Sequence, residues 1–220
     1  MRGGMIKDVA PGDIERLSFA MIEEEFFDQT GRRPESFDRP TFRIIRRVIH
    51  ASGDFSFART LVFHDRAIGA GIATIRQGRA IAIDVSMGAA GINRGLVEGF
   101  GGRVVCRIGD PGIAEEARLG GQTRSETALR RAMADDPGII AVGNAPTALL
   151  TAMEMIERGE LNPDLVIGVP VGFVNAAEAK ALLSQRDYPF ITNTGRTGGS
   201  PVAVAIINAL LRLAATNEES

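Results

Sequence analysis

Cysteine, histidine and lysine are nearly missing from this 220-residue chain, and each scarcity closes off a class of chemistry. Cys106 is the only cysteine, so no intrachain disulfide can form, and a reducing, cytoplasmic setting is expected. With His50 and His64 as the only histidines, no histidine or thiolate metal cage is available, and no bound metal is expected. A carboxylate site for a hard cation stays open. Lys7 and Lys180 are the only lysines, so arginine carries nearly all of the basic charge. A GC-rich genome explains that bias, and so does a need for planar guanidinium forks that bind carboxylates. A formal net charge of -2 lacks the basic excess of a general nucleic-acid binder. No apolar run approaches the roughly 18 residues of a membrane span. Met1 to Pro11 mixes Arg, Asp and Gly, so no secretory signal is expected. Linkers and internal repeats are absent too, which points to a single domain over residues 1–220.

What is present is ordinary for a globular protein, 45% hydrophobic and 24% charged residues. The segment from about 13 to 78 reads as helical. Asp13 is expected to cap a pattern through Ile14, Leu17, Met21, Ile22 and Phe26, closed by Gly31. A second helix follows Asp38 and Pro40. Its stripe of Phe42, Ile45 and Ile49, with Ile44 and Val48 alongside, would face a core, and Gly53 stops it. Arg43, Arg46 and Arg47 lie off that stripe, and His50 falls in the last turn. The negative end of a helix dipole favours a protonated imidazole, so His50 is either a proton donor or a satisfied terminal residue. Asp54 is expected to cap a third helix through Phe55, Ala58, Leu61 and Val62, and Asp65 a fourth through Ile75.

From about 79 to 215 the texture changes. Short apolar runs at Ala80 to Val85, Arg103 to Arg107, Ile139 to Val142, Leu165 to Val169 and Phe190 to Thr192 alternate with helical patterns. Alternation of this kind predicts a parallel sheet covered on both faces. Ligands of such sheets sit outside the carboxyl ends of the strands. Those ends carry Asp84 and Ser86, then Gly109-Asp110-Pro111, then Gly143-Asn144-Ala145-Pro146-Thr147. Gly168 to Val174 and Asn193 to Ser200 follow. Small-residue loops along one rim suit a broad anionic ligand, although turns of parallel sheets are glycine-rich in any case.

None of these loops is a standard motif. Gly195-Arg196-Thr197-Gly198-Gly199-Ser200 lacks the Walker lysine and the dinucleotide glycine spacing, so it reads as an anion cradle with Arg196 as its charge. Neither Ser86 nor Ser200 stands in Gly-x-Ser-x-Gly. Cys106 is expected inside a central strand, and His64 in a surface turn. Asp84 is the best single carboxylate candidate, with helix capping as its alternative role. Arg124 sits at a helix start, where the dipole disfavours a cation unless an anion faces it.

Together these segments resemble the precorrin-8X methylmutase family of cobalamin biosynthesis. The strings that carry the resemblance are Arg47-Val48-Ile49-His50-Ala51, Thr123-Arg124-Ser125, Val142 to Leu149 and Gly168 to Val174. Ala176-Ala177-Glu178, Gly198-Gly199-Ser200 and Asn208-Ala209-Leu210 continue it, as does Ser18 to Ile22 near the amino terminus. The Gly-Asn-Ala-Pro-Thr-Ala-Leu and Gly-Val-Pro-Val-Gly-Phe-Val strings are highly specific.

The resemblance implies an α/β protein, a flavodoxin-like three-layer α/β/α fold with a five-stranded parallel sheet and an N-terminal helical segment. It implies an isomerase that moves the C-11 methyl of a corrinoid ring to C-12, making hydrogenobyrinate from precorrin-8X, or cobyrinate from cobalt-precorrin-8. No cofactor is consumed. The histidine matching His50 is the acid in that family, and Ser18, Arg47 and Arg124 match its substrate contacts. To these we add Arg196, the rim residues Asp84, Ser86 and Ser200, and the Gly143, Asn144 and Thr147 segment. Met87, Gly172 and Phe173 are expected along the ring's faces. The family also implies a homodimer, with Ser18 reaching either its own site or a neighbour's. Ser86 and Thr197 depart from the residues usual in relatives. A non-catalytic corrinoid carrier is the alternative function.

Overall fold

The protein is described by a computed structural model covering residues 10–216, which leaves Met1 to Val9, Lys7 included, outside the described residues. Two helices come first, α1 (Ile14–Thr30) and α2 (Arg39–Ser52). The Asp38 side chain accepts from the Thr41 amide at 2.9 Å, and Gly53 ends α2 in the left-handed conformation at φ 68°. The apolar stripe of α2 splits in two. Ile44 and Val48 join the main core, whereas Ile45 and Ile49 meet Phe26 of α1 in a smaller one. Burying each of these side chains contributes on the order of 1.5–3 kcal/mol. The stripe read along α1 holds less well, because Ile14 and Met21 are exposed and only Phe26 of that set is buried. Asp13 precedes α1 but makes no side-chain cap; it pairs with Arg16 instead.

The third helix is shorter than its pattern suggested. α3 (Phe57–Thr60) gives way to a strand, β1 (Leu61–Phe63), and Asp54 accepts from the Ser56 amide in a local turn. Three residues of strand are too few to show a period of two, so Leu61 and Val62 passed for a helical continuation. α4 (Ala67–Arg76) follows, then β2 (Ala80–Ile83), α5 (Ser86–Gly91), α6 (Arg94–Gly99) and β3 (Val104–Val105). The second half contains α7 (Ile113–Leu119), α8 (Arg124–Ala132), β4 (Pro137–Val142), α9 (Pro146–Glu157) and β5 (Leu165–Gly168). It ends with α10 (Ala176–Leu183), β6 (Phe190–Asn193) and α11 (Ser200–Ala215).

Among the described residues the sheet has six strands in the order β1-β6-β5-β4-β2-β3, a correction to the five expected. The extra one, β1, pairs antiparallel with the β6 edge. The other five run parallel and follow the flavodoxin-like order, second-first-third-fourth-fifth. Cys106 does not lie in a central strand: it follows β3, the short strand at the far edge, and is half-buried. α2, α4, α5, α6 and α11 cover one face, where the main core centres on α11. α8, α9 and α10 cover the other. Between the parallel neighbours β2 and β4 the order of strand addition reverses, and such a switch point opens a crevice at their carboxyl ends.

Candidate active site

At that crevice Asp84 leaves β2 with only 4% of its surface exposed. Its carboxylate accepts from three successive amides at the end of β4: Gly143 at 3.0 Å, Asn144 at 2.9 Å and Ala145 at 2.9 Å. Burial pushes the Asp84 carboxyl up, and the three amide bonds pull it back. The Asp84 carboxylate and the Gly143 and Asn144 amides, expected at the substrate, are here bonded to each other. The alternative, capping of the next helix, is absent, since α5 has Val85 before it and no side-chain cap. Ser86 opens α5 in an exposed position and its hydroxyl lies against the Cys106 thiol, which burial pushes up.

Beyond Ala145, Thr147 Oγ1 lies 3.0 Å from Thr123 Oγ1. Thr123 caps α8 in a reciprocal box with Glu126, so Arg124 emerges as the first helical residue, exposed beside the β4 loop. The loops after β5 and β6 are zipped together. Gly172 donates to the Arg196 carbonyl at 3.1 Å and Gly199 to the Val169 carbonyl at 2.8 Å. Gly198 has φ 147°, and a Cβ there would fall 2.3 Å from the Val169 oxygen, so only glycine fits. In the loop expected as an anion cradle, the Gly199 amide is taken up by the Val169 carbonyl, while Gly195, Arg196 and Thr197 are exposed. Ser200 is 8% exposed at the start of α11, packed under Gly143. The Arg196 guanidinium sits 5.4 Å over the Phe173 ring, and Met87, Val171, Phe173 and Val174 leave an apolar surface open on the rim.

His50 belongs to a second group. It is exposed in the last turn of α2, with its ring edge-on to Phe19 of α1 at 5.3 Å between centroids. Arg47 points a fork at Glu15, with bonds of 2.8 and 3.0 Å, and Arg212 of α11 reaches the same carboxylate at 3.4 Å. The Arg47 bonds, with the charges of Arg47, Arg212 and His50, hold the Glu15 carboxyl below its ordinary range against some burial. The Arg46 and Arg47 guanidiniums lie over the Phe19 ring at 4.2 and 4.8 Å, and Arg46 is paired with Glu23. Ser18, next to Phe19, is half-buried. A cavity of about 130 Å³ opens here, lined by Glu15, Phe19, Arg43, Arg46, Arg47 and Arg212.

This site of arginines, one exposed imidazole and an apolar rim is set on a fold that others share. The family model described as precorrin-8X methylmutase matches residues 13–213. The chain belongs to the precorrin-8X methylmutase family. It is 46% identical to the cobalt-precorrin-8 methylmutase of Priestia megaterium, over 94% of this chain and 89% of that one. The precorrin-8X methylmutase of Pseudomonas aeruginosa is 40% identical, covering 90% and 93%. The crystal structure of precorrin-8X methylmutase from Thermus thermophilus superposes with a TM-score of 0.81 at 38% identity, covering 93% of this chain and 96% of that one.

Within this methylmutase-family chain the expected residues form two groups. Asp84, Gly143, Asn144, Thr147, Arg124, Gly172, Phe173, Arg196 and Ser200 gather at the rim; His50, Arg47 and Ser18 lie on α1 and α2. Among the described residues, no hydrogen bond, ion pair or ring contact joins His50, Phe19, Glu15 or Arg47 to the rim loops. Arg212, which shares Glu15 with Arg47, follows Ser200 by twelve residues along α11, about 18 Å at 1.5 Å per residue. Sequence reasoning missed Glu15 and Arg212. Glu15 carried one signal, a carboxylate one turn before the aromatic Phe19 on a segment already assigned to the family.

Proposed function

We propose that this chain is a precorrin-8X methylmutase, an isomerase that moves the C-11 methyl of the corrinoid ring to C-12. The observation that carries the reading is the family match across residues 13–213 together with His50, an exposed imidazole held against Phe19 beside a fork of arginine. His50 donates a proton to a ring nitrogen near the migration site. The ring becomes electron-poor, the methyl shifts with its bonding pair from C-11 to C-12, and the proton is returned. Substrate and product are isomers, so the step balances without an added reactant. Arg124 and Arg196, both in solvent at the rim, suit the acetate and propionate arms. Phe173, Val171 and Met87 suit the flat faces of the macrocycle.

The working unit we propose is a homodimer in which α1 and α2 of one copy complete the rim of the other. The exposed apolar rim supports this. A lone unpaired cysteine suits the cytoplasm as its compartment. The test is to supply precorrin-8X and cobalt-precorrin-8 separately and locate the methyl by NMR. A methyl at C-12 supports the isomerase. A ligand bound and released with its methyl still at C-11 identifies the carrier instead.

A further inference from the structure

Lys180 carries a positive charge into the buried face of α10 and, among the described residues, meets no carboxylate. Only 1% of the residue is exposed. Its Nζ donates to the Thr197 carbonyl at 2.5 Å and to Asn193 Oδ1 at 3.3 Å. Asn193, fully buried at the end of β6, donates through Nδ2 to the carbonyls of Thr194 at 3.1 Å and Thr197 at 2.9 Å. One carbonyl, that of Thr197, is thus gripped from two sides, and the turn from Thr194 to Gly199 hangs from α10 and β6. Arg196 sits in that turn, its carbonyl tied to Gly172 and its guanidinium over Phe173.

Packing alone does not call for a charge here. A methionine fills similar volume without stripping water from an ammonium. Burial draws the amine down to about 8. Among the described residues no opposite charge offsets this. Glu178 on the same helix is exposed. On α9, Glu154 pairs with Arg130 and Arg158, and Glu157 with Arg186. β6 and the loop from Val169 to Asn175 bring no titratable side chain, and the turn itself brings only Arg196.

We infer that Lys180 is a positioning residue for the reaction: its ammonium locks the Thr194 to Gly199 turn so that Arg196 is held at the rim, ready for a carboxylate arm of the substrate. The substrate part of this rests on the proposed methylmutase reading; the clamp itself does not. A locked turn acts on binding, so its loss falls on KM rather than kcat.

The test compares the wild-type chain with Lys180→Met by amide hydrogen exchange over residues 194–199 and by steady-state kinetics on precorrin-8X or cobalt-precorrin-8. The turn is expected to exchange at least ~10-fold faster in the variant. KM should rise about tenfold with kcat within about threefold, and the melting temperature should not fall. Wild-type protein taken from pH 7 to 9.5 should loosen the same turn, after correction for intrinsic exchange, as Lys180 loses its proton. That arm needs neither variant nor substrate. Turn protection unchanged in the variant and across this pH range overturns the inference, as does a less stable variant with unchanged KM. A wild-type chain inert toward both corrinoids, yet with the turn loosening as described, sinks the methylmutase reading and leaves the clamp standing.

Discussion

The rings of Phe19 and His50 meet edge to face at 5.3 Å, so α1 as well as α2 decides where the imidazole points. Phe19 also lies beneath two guanidiniums. Phe19→Ala should leave the fold intact, because Phe26, Ile45 and Ile49 hold the two helices together. It frees the imidazole to swing. Turnover by the variant should fall by about tenfold in kcat, since a misplaced acid loses part of its general-acid contribution. Circular dichroism and steady-state kinetics together check this.

Glu15 should show itself through pH. Its carboxyl is held below the reference of 4.5 mainly by Arg47, so its folded state prefers the charged form. That contribution to stability is present above 4.5 and is lost as pH falls through the lowered value. The melting temperature of Glu15→Gln should therefore lie below that of wild type at pH 7. The gap should close as the solution is acidified past this window. Melting curves from pH 7 down to pH 3 test it.

Asp84 holds the loop after β4 by three amides, and an amide side chain cannot do the same. In Asp84→Asn the new Nδ2 donors face backbone donors, leaving buried amides without an acceptor. The cost expected is about 1–3 kcal/mol of unfolding free energy. Urea denaturation measures it, and product affinity should weaken as the rim loop loosens.

The parallel part of the sheet was legible because each strand is a short apolar run, and those from β3 to β6 are followed by loops that contain glycine or asparagine. Asp38 and Gly53 fixed both ends of α2 in the sequence for the same local reason. β1 was not legible: Leu61 to Phe63 is a strand only because the β6 edge lies beside it. The amides from Gly143 to Ala145 looked free because nothing local marks Asp84, nearly sixty residues earlier, as their acceptor. Lys180 was equally silent, since a lysine on a helix reads as solvated until tertiary packing buries it.

The proposed dimer makes a prediction that a monomeric site does not. His50→Ala and Arg124→Ala chains, each inactive alone, are unfolded together, refolded and assayed. If one copy supplies His50 and the other Arg124, random pairing restores about a quarter of wild-type activity, because half the dimers carry one intact site. A site contained within one chain restores none.

Most direct of all is a single-turnover measurement on His50→Gln, with tetrapyrrole binding followed in the same cuvette. His50 is exposed, so the substitution leaves the core untouched. The account predicts precorrin-8X bound within about threefold of wild-type affinity and methyl transfer slowed by at least ~100-fold, the loss expected when a general acid is removed. Methyl transfer at the wild-type rate, with only binding weakened, would contradict it.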